Sequence, residues 1–270
     1  MKIENGVVVV TGGGSGMGRE LVLESLRRGA KVAAVDIRAS ALAETASLAG
    51  SRGDSLATFT LDITDRGAVE ALPGAVIERF GAVDAIINNA GIIQPFVRFE
   101  ALDYDAIDRV FDVNWRGMLF MTKTFLPRLL ARPEAHIVNV SSMGGFLPVP
   151  GQTIYGASKA AVKLFTEGLH SEMTGRNVHV TVVFPGAIAT NISANSGVQI
   201  NAGADSMKVP MTTPDRAAKQ ILDGMEKNRA RVMVGNDAKL LDALVRITPE
   251  RAAAFIAKQM EALLGKSAKG

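Results

Sequence analysis

Residues 7–18 read VVVVTGGGSGMG, four valines that break at Thr11 into glycines at positions 12, 13, 14, 16 and 18. Four consecutive β-branched residues, apolar on both faces, suit a strand buried inside a sheet. The glycines permit positive φ and let backbone N–H groups come close to a ligand. A helix beginning near Met17 would turn its positive N-terminal end to the same place. This is the form of a pyrophosphate cradle, with Gly12, Gly14, Ser15, Gly16, Met17 and Gly18 as its candidate residues. The spacing is GxxxGxG over Gly12, Gly16 and Gly18. The GxGxxG spacing is not met, because Met17 stands where the third glycine would be. Taken alone, such a turn also serves as a plain strand–helix connection.

The rhythm continues outward from this stretch. Residues 31–36, 56–61, 85–88, 136–141, 178–184 and 231–234 read as further short apolar strands. Residues 17–28, 41–49, 66–80, 104–130, 153–174 and 214–228 carry helical periodicity between them. Strands apolar on both faces that alternate with helices predict a parallel sheet covered on both sides. We find no repeat, linker or low-complexity tract. The expectation is therefore one α/β doubly wound domain over residues 1–270, with a parallel seven-stranded sheet. Residues 191–213, rich in Gly, Ser and Asn, read as a long loop of the kind that covers a substrate. Residues 237–270 read as a helical extension, split near Thr248-Pro249.

Asp36 closes the second strand, eighteen residues after Gly18. An acidic side chain there can accept both adenosine ribose hydroxyls and would repel a 2′-phosphate, which favours NAD. Arg38, two residues on, could instead accommodate that phosphate. Composition narrows the remaining classes. The 270 residues carry a net charge of +3 without a long run of like charge, which argues against nucleic acid as a partner. There is no cysteine, so thiolate metal sites and thiol catalysis are excluded. The N-terminal apolar run is too short for a secretory signal, and no apolar stretch approaches the ~18 residues of a membrane span. A soluble cytoplasmic protein is expected, with membrane association disfavoured.

Tyr155 and Lys159 stand at i and i+4 of a predicted helix, hence on one face. Ser142 lies thirteen residues earlier, at the end of a strand, where open α/β sheets bind ligands. With these residues the chain resembles the short-chain dehydrogenase/reductase family over nearly its whole length. The resemblance is carried by TGGGSGMG, Asp36, LDIT with Asp62, NNAG at 88–91, VNWRG with Asn114, Ser142, YGASK and PGAIAT at 185–190, in the family's order.

The resemblance implies a Rossmann-like fold and a set of roles. Asp62 and Ile63 would hold the adenine, and Asn89, Ala90 and Gly91 would line the adenosine side. Pro185 and Gly186 would also bind the cofactor, and Ile188 and Thr190 would contact the nicotinamide carboxamide. Ser142 would hydrogen-bond the substrate oxygen, Tyr155 would transfer the proton, Lys159 would bind the ribose, and Asn114 would position a water. It also implies a homotetramer whose interface uses the helices at 104–130 and 153–174.

The physical logic runs beside that resemblance. A free tyrosine titrates near pH 10, and a lysine ammonium at about 4 Å contributes about 4 kcal/mol toward the anion at an effective dielectric of 20. This bounds the downward shift at roughly three units. Tyrosinate could then take a proton from an alcohol as hydride leaves for NAD. No metal site is expected: His136, His170 and His179 lack carboxylate spacing. Ser142 is not in a GxSxG elbow, so it is no hydrolase nucleophile. Gln94, Pro95, Phe96, residues 143–146, Gln152 and the 191–213 loop are expected to wall a mainly apolar substrate site, with Lys208 its one cation. The expected substrate is an uncharged secondary alcohol or ketone. Two alternatives stay open: an NADPH-dependent biosynthetic reductase such as a 3-oxoacyl reductase, and a non-enzymatic dinucleotide-binding protein.

Overall fold

The first strand, β1 (Val7–Thr11), is buried along its whole length, and its valines divide between two cores. Val8 and Val10 meet Leu21, Val22 and Leu26 of α1 (Gly16–Arg27) and Ile221 and Leu222 of α8 (Pro214–Glu226). Val7 and Val9 face Val69 and Leu72 of α3 (Arg66–Phe80) and Met121 and Phe125 of α5 (Met118–Leu130). Alternate side chains of a strand point to opposite faces, so a run of valines supplies both layers at once.

The computed structural model describes residues 1–190, 192–198 and 211–267, the last nine by backbone alone. The remaining strands are β2 (Lys31–Asp36), β3 (Leu56–Thr60), β4 (Ala85–Asn88), β5 (Ala135–Val140), β6 (Val178–Pro185) and β7 (Arg231–Val234). They form one parallel sheet in the order β3-β2-β1-β4-β5-β6-β7. The chain reverses its winding between β1 and β4, and such a switch opens a crevice beyond the carboxyl ends of the strands. This is the doubly wound, Rossmann-like arrangement expected, with α2 (Ala39–Ala49) and α6 (Thr153–Glu172) completing the layers.

Two expectations require correction. The helix expected over 104–130 is interrupted: α4 (Tyr104–Phe111) passes into a wide π-helical turn at Asp112–Gly117 before α5 begins. A π turn is a local change of hydrogen-bond partners, which residue types do not announce, and apolar residues at helical spacing lie on both sides of it. Asn114 sits in that turn. The loop expected over 191–213 contains the short helix α7 (Ile192–Asn195) and a strand-like bridge between Ile188 and Thr212. Residues 199–210 of that loop, Lys208 included, lie outside the described residues. Beyond β7, α9 (Asn236–Ile247) and α10 (Pro249–Ser267) meet at Thr248. Among the described residues no helix is long and apolar enough to cross a membrane.

Candidate active site

Gly12 has φ +69°, and a Cβ on Gly18 would stand 2.0 Å from the Gly12 carbonyl oxygen. Only glycine at both positions lets α1 start directly against the end of β1. The turn opens on a cavity of about 740 Å³ along the carboxyl edge of the sheet, which collects nearly every residue singled out from the sequence. Gly12, Ser15, Gly16, Met17 and Gly18 line one end with Asp36, Asp62 and Ile63, and Asn89, Ala90 and Gly91 form its floor. Ser142, Tyr155, Lys159, Pro185, Gly186, Ile188 and Thr190 line the other end. Gly14 lies behind this wall, where its N–H donates to Asp36 Oδ2 at 3.0 Å.

The acidic end is set by β2. Asp36 is 7 % exposed, and Oδ1 accepts from the Arg38 backbone N–H at 3.0 Å. The Arg38 guanidinium lies 3.6 Å from the same oxygen and donates to Ser15 Oγ at 3.0 Å and Asn195 Oδ1 at 2.8 Å. Asn195 returns a bond to Ser15 Oγ at 3.0 Å. On the opposite wall, Arg109 donates to the Ser196 carbonyl, and Ser196 Oγ accepts from the Ile93 N–H at 3.0 Å. Residues 192–198 are thus tied to both sides of the cleft.

At the other end, β5 runs into Ser142 and α6 carries Tyr155 and Lys159 one turn apart. Ser142 Oγ accepts from the Gly144 N–H at 3.1 Å, and the Tyr155 ring lies beside the same glycine. Lys159 is 4 % exposed, and its Nζ donates to the Val140 carbonyl at 3.1 Å. Burial pulls Lys159 down to about 8. Burial pushes the Tyr155 phenol above its ordinary value, and the Ser142 hydroxyl offsets this in part. Burial thus works against the lowered tyrosine expected from the Lys159 charge. Nζ lies 6.0 Å from the tyrosine ring centre.

Asn114 does not turn a free amide into the cleft. Its Oδ1 accepts from the Ile92 N–H at 2.8 Å, while Nδ2 donates to the Ile92 carbonyl at 2.9 Å and to Ser158 Oγ at 3.0 Å. Both amide hydrogens are committed to protein, so the side chain holds the 91–93 segment against α6. Asn89 is committed too, with Nδ2 donating to the Thr11 carbonyl at 3.0 Å.

Sequence reasoning missed two supports and gave two glutamines another role. Thr11 Oγ1 accepts from the Asn89 and Ala90 N–H groups at 3.0 and 3.1 Å. Asp237, in the C-terminal extension, accepts from the Ala187 N–H at 2.7 Å and fills the space beside Gly186 that a Cβ would need. Gln94 and Gln152, expected to face substrate, are buried and bonded to backbone. Polar residues at loop positions carry no sign of which backbone group they will meet. Of the histidines, His136 is fully buried beside Thr181, and burial lowers it to about 3, which keeps it neutral. Among the described residues no cluster suits a metal ion.

The cavity fits an extended dinucleotide. Glycines 12, 16 and 18 lie where a phosphate would approach backbone, and a Cβ on Gly91 would come within 3.1 Å of Lys159 Nζ. A carboxylate, Asp36, lines one end of the cavity, and a hydroxyl, a phenol and an amine, Ser142, Tyr155 and Lys159, line the other. The short chain dehydrogenase family model matches residues 6–201, and the chain belongs to that family. SadH of Mycobacterium tuberculosis, which carries an oxidoreductase name, is 40 % identical over 252 residues, covering 90 % of this chain and 91 % of its own. A short-chain dehydrogenase/reductase from Burkholderia phymatum, crystallised with NAD, superposes with TM-score 0.81 at 24 % identity, over 92 % of this chain and 96 % of that one. Another, from Burkholderia cenocepacia with NADP, gives TM-score 0.79 at 27 % identity over 95 % and 99 %. The family is one of nucleotide-binding oxidoreductases.

Proposed function

We propose that this protein is an NAD(H)-dependent dehydrogenase or ketone reductase acting on an uncharged secondary alcohol or ketone, with Tyr155 as its acid and base. The reading rests on one observation: Ser142, Tyr155 and Lys159 meet at one end of a cavity whose other end is the Asp36 carboxylate. When bound, NAD supplies the hydride acceptor and NADH the hydride donor. Gly12, Gly14, Ser15, Gly16, Met17, Gly18, Asp36, Asp62, Ile63, residues 89–91, Tyr155, Lys159, Pro185, Gly186, Ile188 and Thr190 would hold it.

In ketone reduction the Tyr155 phenol donates its proton to the carbonyl oxygen, and Ser142 donates a hydrogen bond to that oxygen. A phenol raised by burial is fully protonated at neutral pH, so this direction starts with its acid loaded. In alcohol oxidation Tyr155 must first lose that proton, and the Lys159 ammonium is the protein's own source of positive charge for the anion. Ile92, Val140, Ile188 and Ile192 line the cavity with Ser142, which supports an apolar substrate body.

Asp36 supports NAD because a 2′-phosphate would meet a nearly buried carboxylate. The NADP-dependent reading rests on Arg38, whose guanidinium already reaches Ser15 beside the glycine turn. A homotetramer belongs to the same proposal, supported by Leu164, 70 % exposed on α6. The deciding experiment is a screen of secondary alcohols and ketones with NAD(H) and NADP(H) in parallel, following absorbance of the reduced cofactor. Turnover with NAD(H) is expected. Tight cofactor binding without turnover on any of them would favour a binding protein.

A further inference from the structure

Helix α6 carries the candidate acid–base, yet nothing on the helix caps its beginning. Its N-cap residue, Gln152, makes no side-chain bond to the first turn, and the first N–H groups of any helix lack partners within it. Two of them find one from a distant segment. Gln94 Oε1 accepts from the Ile154 N–H at 2.8 Å and from the Tyr155 N–H at 3.0 Å. Gln94 Nε2 donates to the Gly151 carbonyl at 3.1 Å, and Gln152 Nε2 donates back to the Gln94 carbonyl at 2.9 Å. Gln94 is fully buried, so water cannot take over these bonds.

The other side of Tyr155 is held through the same segment. Its carbonyl accepts from Ser158 Oγ at 2.7 Å, Ser158 Oγ accepts from Asn114 Nδ2 at 3.0 Å, and Asn114 clasps the N–H and carbonyl of Ile92. Both main-chain polar groups of Tyr155 are therefore tied to residues 92–94, which continue from the Asn89–Gly91 floor of the cofactor cleft.

We propose that Gln94 is a positioning residue: its side-chain carbonyl caps α6 from outside the helix and sets Tyr155 against Ser142 and the cofactor-lining segment. This rests on the reading of Tyr155 as the acid–base. A side chain that only stabilised the fold would change the melting temperature and leave turnover per folded molecule untouched. A positioning residue changes kcat while cofactor and substrate affinity persist, because a displacement of about 1 Å at a reacting group costs up to about a hundredfold in rate.

The test uses the whole protein, with NADH and the ketone reduced fastest in the screen above. Gln94→Met keeps the length but removes the acceptor. Its kcat is expected to fall by about tenfold or more, with the Kd of NADH and the KM of the ketone within about twofold of native. Gln94→Glu keeps an acceptor at the two N–H groups and, protonated at this fully buried position, a donor toward the Gly151 carbonyl, and should restore kcat to within about threefold. Gln94→Asn, one methylene shorter, should show the same split more mildly and serves if the methionine variant does not fold. Hydrogen exchange at the Ile154 and Tyr155 amides should quicken in Gln94→Met and not in Gln94→Glu. That measurement needs no turnover, so it judges the cap even if Tyr155→Phe proves active and the acid–base reading falls. Native kcat in Gln94→Met, equal losses in Met and Glu, or a loss confined to NADH affinity would each overturn the proposal.

Discussion

Lys159→Met should leave the cofactor-free protein more stable than native at pH 7, and the advantage should shrink as the pH rises. The lysine is nearly buried, and among the described residues its ammonium donates to the Val140 carbonyl alone. Burial lowers it from 10.5 to about 8. The difference of about 2.5 units, at 1.36 kcal/mol each, costs the folded state about 3 kcal/mol wherever the amine is charged in both states. The folded pKa lies below the unfolded one, so between pH 8 and 10.5 the unfolded chain binds more protons. Native stability therefore rises with pH through that window, and below it the full cost stays constant. At pH 9 the remaining cost is about 2 kcal/mol by the same relation. Methionine fills similar space without the charge, but orphans the buried Val140 carbonyl at a cost of about 2 kcal/mol, independent of pH. The net gain is then about 1 kcal/mol at pH 7, falling to near zero at pH 9. Urea unfolding, followed by fluorescence of the single tryptophan, Trp115, measures both. With saturating NADH the order should reverse, since the native protein binds it better. A mutant-minus-native difference that is the same at both pH values, or larger at pH 9, would refute the depressed lysine and the reasoning built on it.

Tyr155→Phe should lower kcat by about a hundredfold or more while NADH affinity, read by fluorescence titration, stays within about twofold; near-native turnover would remove Tyr155 from the chemistry. Asp36→Ala should narrow a preference for NAD over NADP of at least about tenfold, mainly by weakening NAD; equal native affinities for the two would sink the assignment. Sedimentation at micromolar concentration should show a tetramer, and monomer alone would contradict the role given to the exposed face around Leu164.

The sheet was readable because its signal is local and repeated. Seven short apolar runs bounded by helices leave little besides a parallel sheet covered on both faces, and Val7–Val10 announce two cores by alternation alone. The glycine turn was readable for a similar reason, since close approach of backbone permits only one residue type at Gly18. The chemically distinctive side chains Asp36, Ser142, Tyr155 and Lys159 could be picked out by type and spacing, and all four line one cavity.

What only the tertiary structure decided is how those groups are held and charged. Neither the π turn under Asn114 nor the commitment of that amide to Ile92 and Ser158 follows from the residue type. Gln94 and Gln152 read as pocket walls, and Asp237 as part of an outlying helix. Their partners are backbone groups 50 to 61 residues away in the chain for Gln94 and Asp237, and 58 for Gln152. The same holds for the proton affinities. A sequence shows that Lys159 stands one turn from Tyr155, which argues for a lowered phenol. Burial is a property of the packed chain, and here it raises the phenol and lowers the amine. Residue type and period determine which elements form and which chemistry is present. Desolvation and long-range hydrogen bonding, which exist only once the chain has closed on itself, determine how that chemistry is aimed.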